Sequence, residues 1–191
     1  MLKIGIVLGS TRKGRNGEAV AKWIYHFAKN REDGVSYEWV DLVDYDLPFY
    51  GSEISIERQH VADSAIQAWT QKMASFDGYI FVTPEYNHAT SGVLKNALDY
   101  LNREVNNKAC GFVGYGGLGG ARAIENLRLI AGELQMADVR TAVTFSLMTD
   151  FENMSVFRPA DYHEKNAQQM IDQVVAWSEA LCAVRGKRQV G

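Results

Sequence analysis

Cysteine is scarce in this chain. The two that occur, Cys110 and Cys182, lie far apart and form no Cys-x-x-Cys pair. That pattern fits separate thiols in a reducing compartment, not a disulfide framework. Histidine is nearly as sparse: His26, His60, His88 and His163 are scattered, with no His-Glu-x-x-His and no Cys/His cluster. No metal site is expected. A basic excess is missing too. The net charge is −3, which argues against a nucleic-acid partner while leaving room for one local phosphate site. No apolar run approaches the roughly 20 residues of a membrane span. The N-terminus, MLKIGIVLGSTRKG, passes from an apolar segment straight into a polar loop, unlike a signal peptide. A cytoplasmic protein without a membrane partner is expected.

What is present is ordinary for a globular chain: 191 residues, 47% hydrophobic and 23% charged. That length is enough for one domain spanning 1–191, and no repeat or linker divides it. Short apolar runs at 2–8, 36–43, 78–83, 108–114 and 138–145 read as strands, several of them fully buried. Between and after them, amphipathic spacing predicts helices over 17–29, about 60–75, 92–102, 120–136 and about 162–185. Asp161 and Glu164 resemble a capping box for the last of these. The stretch 49–59 reads as looser, and the tail RGKRQVG as a frayed end. Strands alternating with helices mean a parallel sheet covered on both faces. Ligands of such sheets bind beyond the carboxyl ends of the strands, so the loops after the first, third and fourth strands carry the interest.

The first of these loops is Gly9-Ser10-Thr11-Arg12-Lys13-Gly14-Arg15-Asn16-Gly17. It offers hydroxyls, two arginines, hinge glycines and Asn16 as a helix N-cap. A helix N-terminus with arginines beside it suits an anion. Gly9 to Gly14 begins a nucleotide P-loop, but Arg15-Asn16 stands where Lys-Ser/Thr is required. A terminal phosphomonoester fits better; a polar turn with its cations in water is the plain alternative. The second loop is Thr83-Pro84-Glu85-Tyr86-Asn87-His88-Ala89-Thr90-Ser91-Gly92. Main-chain N–H groups of Tyr86 and Asn87 are placed to meet the edge of a heterocycle, with Tyr86 on its face. The bland reading is a strand-to-helix connection. The third loop, Gly114-Tyr115-Gly116-Gly117-Leu118-Gly119-Gly120, contains a formal GxGxxG. It follows the wrong strand for a dinucleotide fold, and the next strand ends without an acidic residue for a ribose. Those glycines suit a backbone wall close to a flat ligand, or a flexible turn.

Together, Gly9-Ser10-Thr11-Arg12, Pro84-Glu85-Tyr86-Asn87 with Leu94-Lys95-Asn96-Ala97, and Gly116-Gly117-x-Gly119-Gly120 resemble the NADPH-dependent FMN reductase family over about 1–150. The resemblance implies an α/β, flavodoxin-like, doubly wound five-stranded parallel sheet of order 2-1-3-4-5 with helices on both faces. It implies FMN as cofactor, NADPH or NADH as donor, and a homodimer or a dimer of dimers. By position, Ser10, Arg12, Arg15 and Asn16 would hold the FMN phosphate. Pro84, Glu85, Tyr86 and Asn87 would line the isoalloxazine, and Tyr115, Gly116 and Gly117 would close its other side. Where many relatives have Pro-Gly before the third helix, this chain has Ser91-Gly92, and Ser is a good cap. Glu18 stands where small or hydroxyl residues are frequent.

The implied reaction is hydride transfer from NAD(P)H to the flavin and then to a small acceptor: a flavin, a quinone or an azo dye. It needs no general base, so no catalytic side chain is named. The rival reading is a flavodoxin-like electron carrier without its own substrate. A net charge of −3 is modest for a carrier's acidic docking face, and arginines replace the Ser/Thr-rich phosphate loop. A hydrolase lacks its GxSxG. Phe49, Tyr50 and 146–158 are left open between pocket wall, dimer contact and packed surface loop.

Overall fold

The computed structural model describes residues 1–51 and 64–186. Lys3–Leu8 (β1) is apolar and buried after its first residue. It leads into Gly17–Lys29 (α1), whose Val20, Ala21, Ile24 and Ala28 face the sheet. Ser36–Asp41 (β2) stops two residues before the sequence pattern does. The Asp41 carboxylate accepts from the Val43 N–H at 3.1 Å and starts a short 3₁₀ turn, Leu42–Asp44. The helix expected over 60–75 is seen as Ser64–Ala74 (α2); residues 60–63, and most of the 49–59 stretch, lie outside the described residues. Gly78–Pro84 (β3) and Ala109–Gly116 (β4) are buried along their whole length. Between them runs Gly92–Asp99 (α3), shorter than the apolar stripe predicted. Ala121–Glu133 (α4), Ala137–Ser146 (β5) and Tyr162–Gly186 (α5) complete the alternation.

The strand order is β2-β1-β3-β4-β5, with every neighbouring pair parallel. This is the doubly wound order expected. The chain moves outward from β1 to β2, then crosses back over to β3 on the other side of β1. The switch point therefore lies at the carboxyl ends of β1 and β3. Alternation along β3 builds two cores. Tyr79 and Phe81 face α2, α3 and α4, together with Trp69, Leu94, Phe112 and Leu127. Ile80 and Val82 face α1 and α5, together with Val20, Ile24, Val143, Met170 and Val174.

A short antiparallel hairpin, Phe151–Glu152 (β6) and Val156–Phe157 (β7), follows β5. Two-residue strands leave no periodicity to read, so the sequence did not announce it. Phe157 packs edge-on against Phe145, ring centres 4.9 Å apart. The buried Asp150 accepts from Ser146 N–H at 2.8 Å and pairs with His163 Nε2 at 2.8 Å, pinning the hairpin's base to α5. At the start of α5 the Asp161 carbonyl accepts from Glu164 N–H at 3.1 Å.

The amino end of the sheet is stitched by charge. Lys108 is buried, and its ammonium donates to Met73 O at 3.3 Å, Ala74 O at 2.9 Å and Tyr79 Oη at 3.2 Å. It thereby caps the last carbonyls of α2. Arg185 Nη2 donates to Asp77 Oδ1 at 2.7 Å, and Asp77 Oδ2 accepts from Lys3 N–H at 2.9 Å.

Candidate functional site

At the opposite end the three glycine-bearing loops meet. They frame a cleft of about 330 Å³. Of the residues singled out in sequence, Arg12, Arg15, Asn16, Pro84, Glu85, Tyr86, Tyr115 and Gly116 line it. Ser10 lies just behind the wall, buried, with its hydroxyl 3.3 Å from that of Tyr86. Asn87 and Gly117 stand at the rim and are not among the lining residues.

The loop after β1 is held from two sides. Gly9 N–H donates to Val82 O at 2.8 Å. The Ser91 hydroxyl donates to Gly9 O and accepts from Leu94 N–H at 3.2 Å. Ser91 thus starts α3 as the expected cap and also ties the first loop to the second. Arg12 is exposed, and its guanidinium has no partner among the described residues. Arg15 differs. Its guanidinium bonds Ser10 O and the carboxylate of Asp41, and both side chains of that pair are only 9% exposed. Such an arginine braces the loop from within. Asn16 occupies the N-cap position of α1 but has helical angles, φ −63° and ψ −23°, and makes no side-chain cap bond. Its amide instead donates to Met154 O at 2.7 Å, on the hairpin turn. The first N–H groups of α1 therefore stay without a side-chain cap.

Tyr115 lines the cleft, and the end of its ring packs against Gly17 at the close of this loop. Its hydroxyl is buried beside the Ser10 hydroxyl and makes no well-formed hydrogen bond among the described residues. It lies against Gly17, where any Cβ would overlap it. Burial first, and then the nearby Tyr86, push this hydroxyl's pKa up, so it remains a proton donor. A buried hydroxyl so weakly bonded is costly, up to about 1–3 kcal/mol, and an anion near it and Arg12 would answer that need.

In the loop after β3, Tyr86 N–H donates to Ala89 O at 3.0 Å and Ala89 N–H to Tyr86 O at 3.2 Å. Asn87 and His88 make the turn with positive φ, 48° and 74°. The Tyr86 amide is thus committed, and of the two expected donors only the Asn87 N–H lacks a partner among the described residues. Pro84 is the last residue of β3, and Glu85 N–H donates to Tyr115 O at 3.0 Å. The Glu85 carboxylate bonds Arg122, through Arg122 N at 3.0 Å, Nε at 2.7 Å and Nη2. Arg122 holds that carboxyl below its ordinary pKa range.

The glycine run is split between strand and loop. Gly114 and Gly116 belong to β4, whose predicted end at residue 114 was two residues short. Gly120 precedes α4 with φ 78°, and a Cβ there would run into the main chain of Gly114 and Tyr115. A third wall comes from Leu147, Met154 and Ser155, inside the 146–158 stretch that the sequence left open between pocket wall, dimer contact and surface loop. A second hollow, of about 380 Å³, lies beside Leu42, Phe49, Val93 and Asn96. Among the described residues its walls carry Asp46 and no cation.

The residues present fit a singly phosphorylated planar cofactor. The unpartnered Arg12, the weakly bonded Tyr115 hydroxyl and the uncapped start of α1 converge at one end. Tyr86, Pro84 and Gly116 offer a flat, close wall at the other.

Comparison with known proteins gives the family and the fold. The family model for NADPH-dependent FMN reductase matches residues 2–150. The NAD(P)H-dependent FMN reductase of Schizosaccharomyces pombe is 36% identical over 166 residues, covering 83% of this chain and 80% of that protein. The NAD(P)H:quinone oxidoreductase of Solanum tuberosum is 31% identical over 134 residues, covering 68% and 67%. Among solved structures, the flavoenzyme NAD(P)H:(acceptor) oxidoreductase FerB of Paracoccus denitrificans superposes with a TM-score of 0.73. It is 20% identical, covers 94% of this chain and 98% of that one, and shares the fold.

Proposed function

Because the chain belongs to the NADPH-dependent FMN reductase family, we propose that it binds FMN in this cleft and uses NAD(P)H to reduce a flavin, quinone or similar small acceptor. The observation that carries the reading is the pairing of an unpartnered Arg12 with the weakly bonded Tyr115 hydroxyl at the head of α1. Arg12, Ser10, Tyr115 and the N-terminal N–H groups of α1 hold the phosphate. Arg15 and Asn16 shape the loop that presents them. Pro84, Glu85, Tyr86 and Asn87 form one wall for the ring, Gly116 and Gly117 the other.

When bound, FMN supplies the hydride chemistry, accepting from the nicotinamide and passing to the acceptor. The protein binds and orients. The unpaired Asn87 N–H is a donor for negative charge on the ring. No side chain is required as an acid or base. We read 1–191 as one flavin-binding domain. Exposed Phe49, Val43 and Val93 support a second copy on that face, in a homodimer or a dimer of dimers. The free thiols Cys110 and Cys182 support a cytoplasmic setting, and no helix among the described residues is long and apolar enough to cross a membrane.

The test is the absorption spectrum of freshly purified protein, followed by NADPH oxidation with and without an added quinone. A flavin spectrum with turnover is expected. Colourless protein that ignores added FMN overturns the reading. Bound flavin that no nicotinamide reduces would return the electron-carrier alternative.

A further inference from the structure

We infer that Glu85 is a positioning residue, whose carboxylate locks the loop after β3 to the loop after β4 by capping α4 from outside that helix. The inference rests on the FMN reading for its consequence, since these are the two loops assigned to the ring.

The start of α4 explains the need. Its N-cap is Gly120, in the left-handed region and with no side chain to offer. Ala121 N–H reaches the nearby Leu118 O at 3.3 Å, but a glycine cap offers no side-chain acceptor to the N–H of Arg122. Glu85, far away in sequence, supplies one: its Oε2 accepts from Arg122 N–H at 3.0 Å. Its Oε1 accepts from the Arg122 guanidinium, at 2.7 Å from Nε and also from Nη2. A carboxylate at a helix N-terminus, forked with arginine, is a strong arrangement. The Glu85 side chain is 4% exposed and that of Arg122 42%, so the carboxylate is sheltered while its partner lies at the surface.

The same residue is fixed at its other end. Its N–H donates to Tyr115 O at 3.0 Å, and its Cβ lies where a side chain at Gly116 would stand, 3.1 Å from that imagined atom. Backbone to β4 and side chain to α4 together set the spacing between Pro84–Asn87 and Gly116–Gly120 before any cofactor arrives. A gap held open in advance loses less on binding than one that must be ordered. Glu85 therefore acts on the ring's seat through Arg122, and its carboxylate is not itself a ring ligand.

The experiment compares Glu85→Ala, Glu85→Gln and Arg122→Ala with the wild type. Two readouts are taken: FMN affinity by fluorescence titration, and amide exchange of cofactor-free protein. Glu85→Ala is expected to weaken FMN about tenfold, roughly 1.4 kcal/mol, and to speed exchange in peptides over 114–124 while those over α2 stay unchanged. Glu85→Gln keeps an acceptor and restores most of both. Arg122→Ala keeps the main-chain bond and loses several-fold. Wild-type affinity and exchange in Glu85→Ala would overturn the inference. If Glu85→Ala does not fold, Arg122→Ala decides, and unchanged affinity and exchange there would overturn it equally. A wild type that fails to bind FMN would sink the cofactor reading, while the exchange comparison would still judge the lock.

Discussion

The two ends of the sheet treat polar groups in opposite ways. At the amino end, Lys108, Arg185 and Asp77 are partly or wholly buried, and each has its partners within the chain. At the carboxyl end, among the described residues, Arg12 is unpartnered, the Tyr115 hydroxyl makes no well-formed bond, and α1 starts without a side-chain cap. Helix and strand composition do not separate the ends. The difference lies in the cations: those at the amino end find partners within the chain, although the buried Ser178 hydroxyl behind Gly78 does not, whereas Arg12 at the carboxyl end has none among the described residues. One end holds the fold, the other is held in reserve.

The sharpest way to break that contrast is Arg12→Ala. It should weaken FMN by about 2–3 kcal/mol, the range of a charge-assisted bond, with the melting temperature of cofactor-free protein unchanged. A large loss of stability instead would put Arg12 among the structural groups.

Lys108→Met should do the reverse. It removes donors from buried carbonyls and should lower stability by about 2 kcal/mol, with FMN affinity retained. Its pH signature is also defined. Burial, then Arg185, pushes the Lys108 pKa down to about 8 in the folded chain; the unfolded value is about 10.4. Between those values the unfolded chain binds more protons, so this group makes stability rise as pH increases. Denaturant midpoints at pH 8 and pH 10 should show that rise in the wild type, and a smaller one in Lys108→Met.

The smallest effect expected is also the most discriminating. Tyr115→Phe deletes a hydroxyl that makes no well-formed bond among the described residues. Cofactor-free protein should melt no lower than wild type, while FMN affinity falls about fivefold, near 1 kcal/mol. Equal affinity would mean that the hydroxyl meets no phosphate.

Much of this was legible in sequence because it is local. Buried strands such as GYIFVTP are apolar throughout, and α1 shows its buried stripe at Val20, Ile24 and Ala28. Ser91 announces α3 by the chemistry of its hydroxyl. What stayed hidden depends on contacts distant along the chain. Nothing near Arg15 says that Asp41, at the end of a neighbouring strand, will take its guanidinium. Nothing near Asn16 says that the Met154 carbonyl will draw its amide from the cap. Likewise, Glu85 sits in a motif that points toward the ring, yet its carboxylate turns to Arg122. Sequence marked where the chemistry gathers but not which side chains were already engaged.

Gly117 offers a practical opening. A Cβ built there meets nothing within 4 Å, and the position needs no left-handed backbone. Because Gly117 stands in the wall assigned to the ring, a side chain grafted there would reshape the seat itself and, with it, which oxidant can approach.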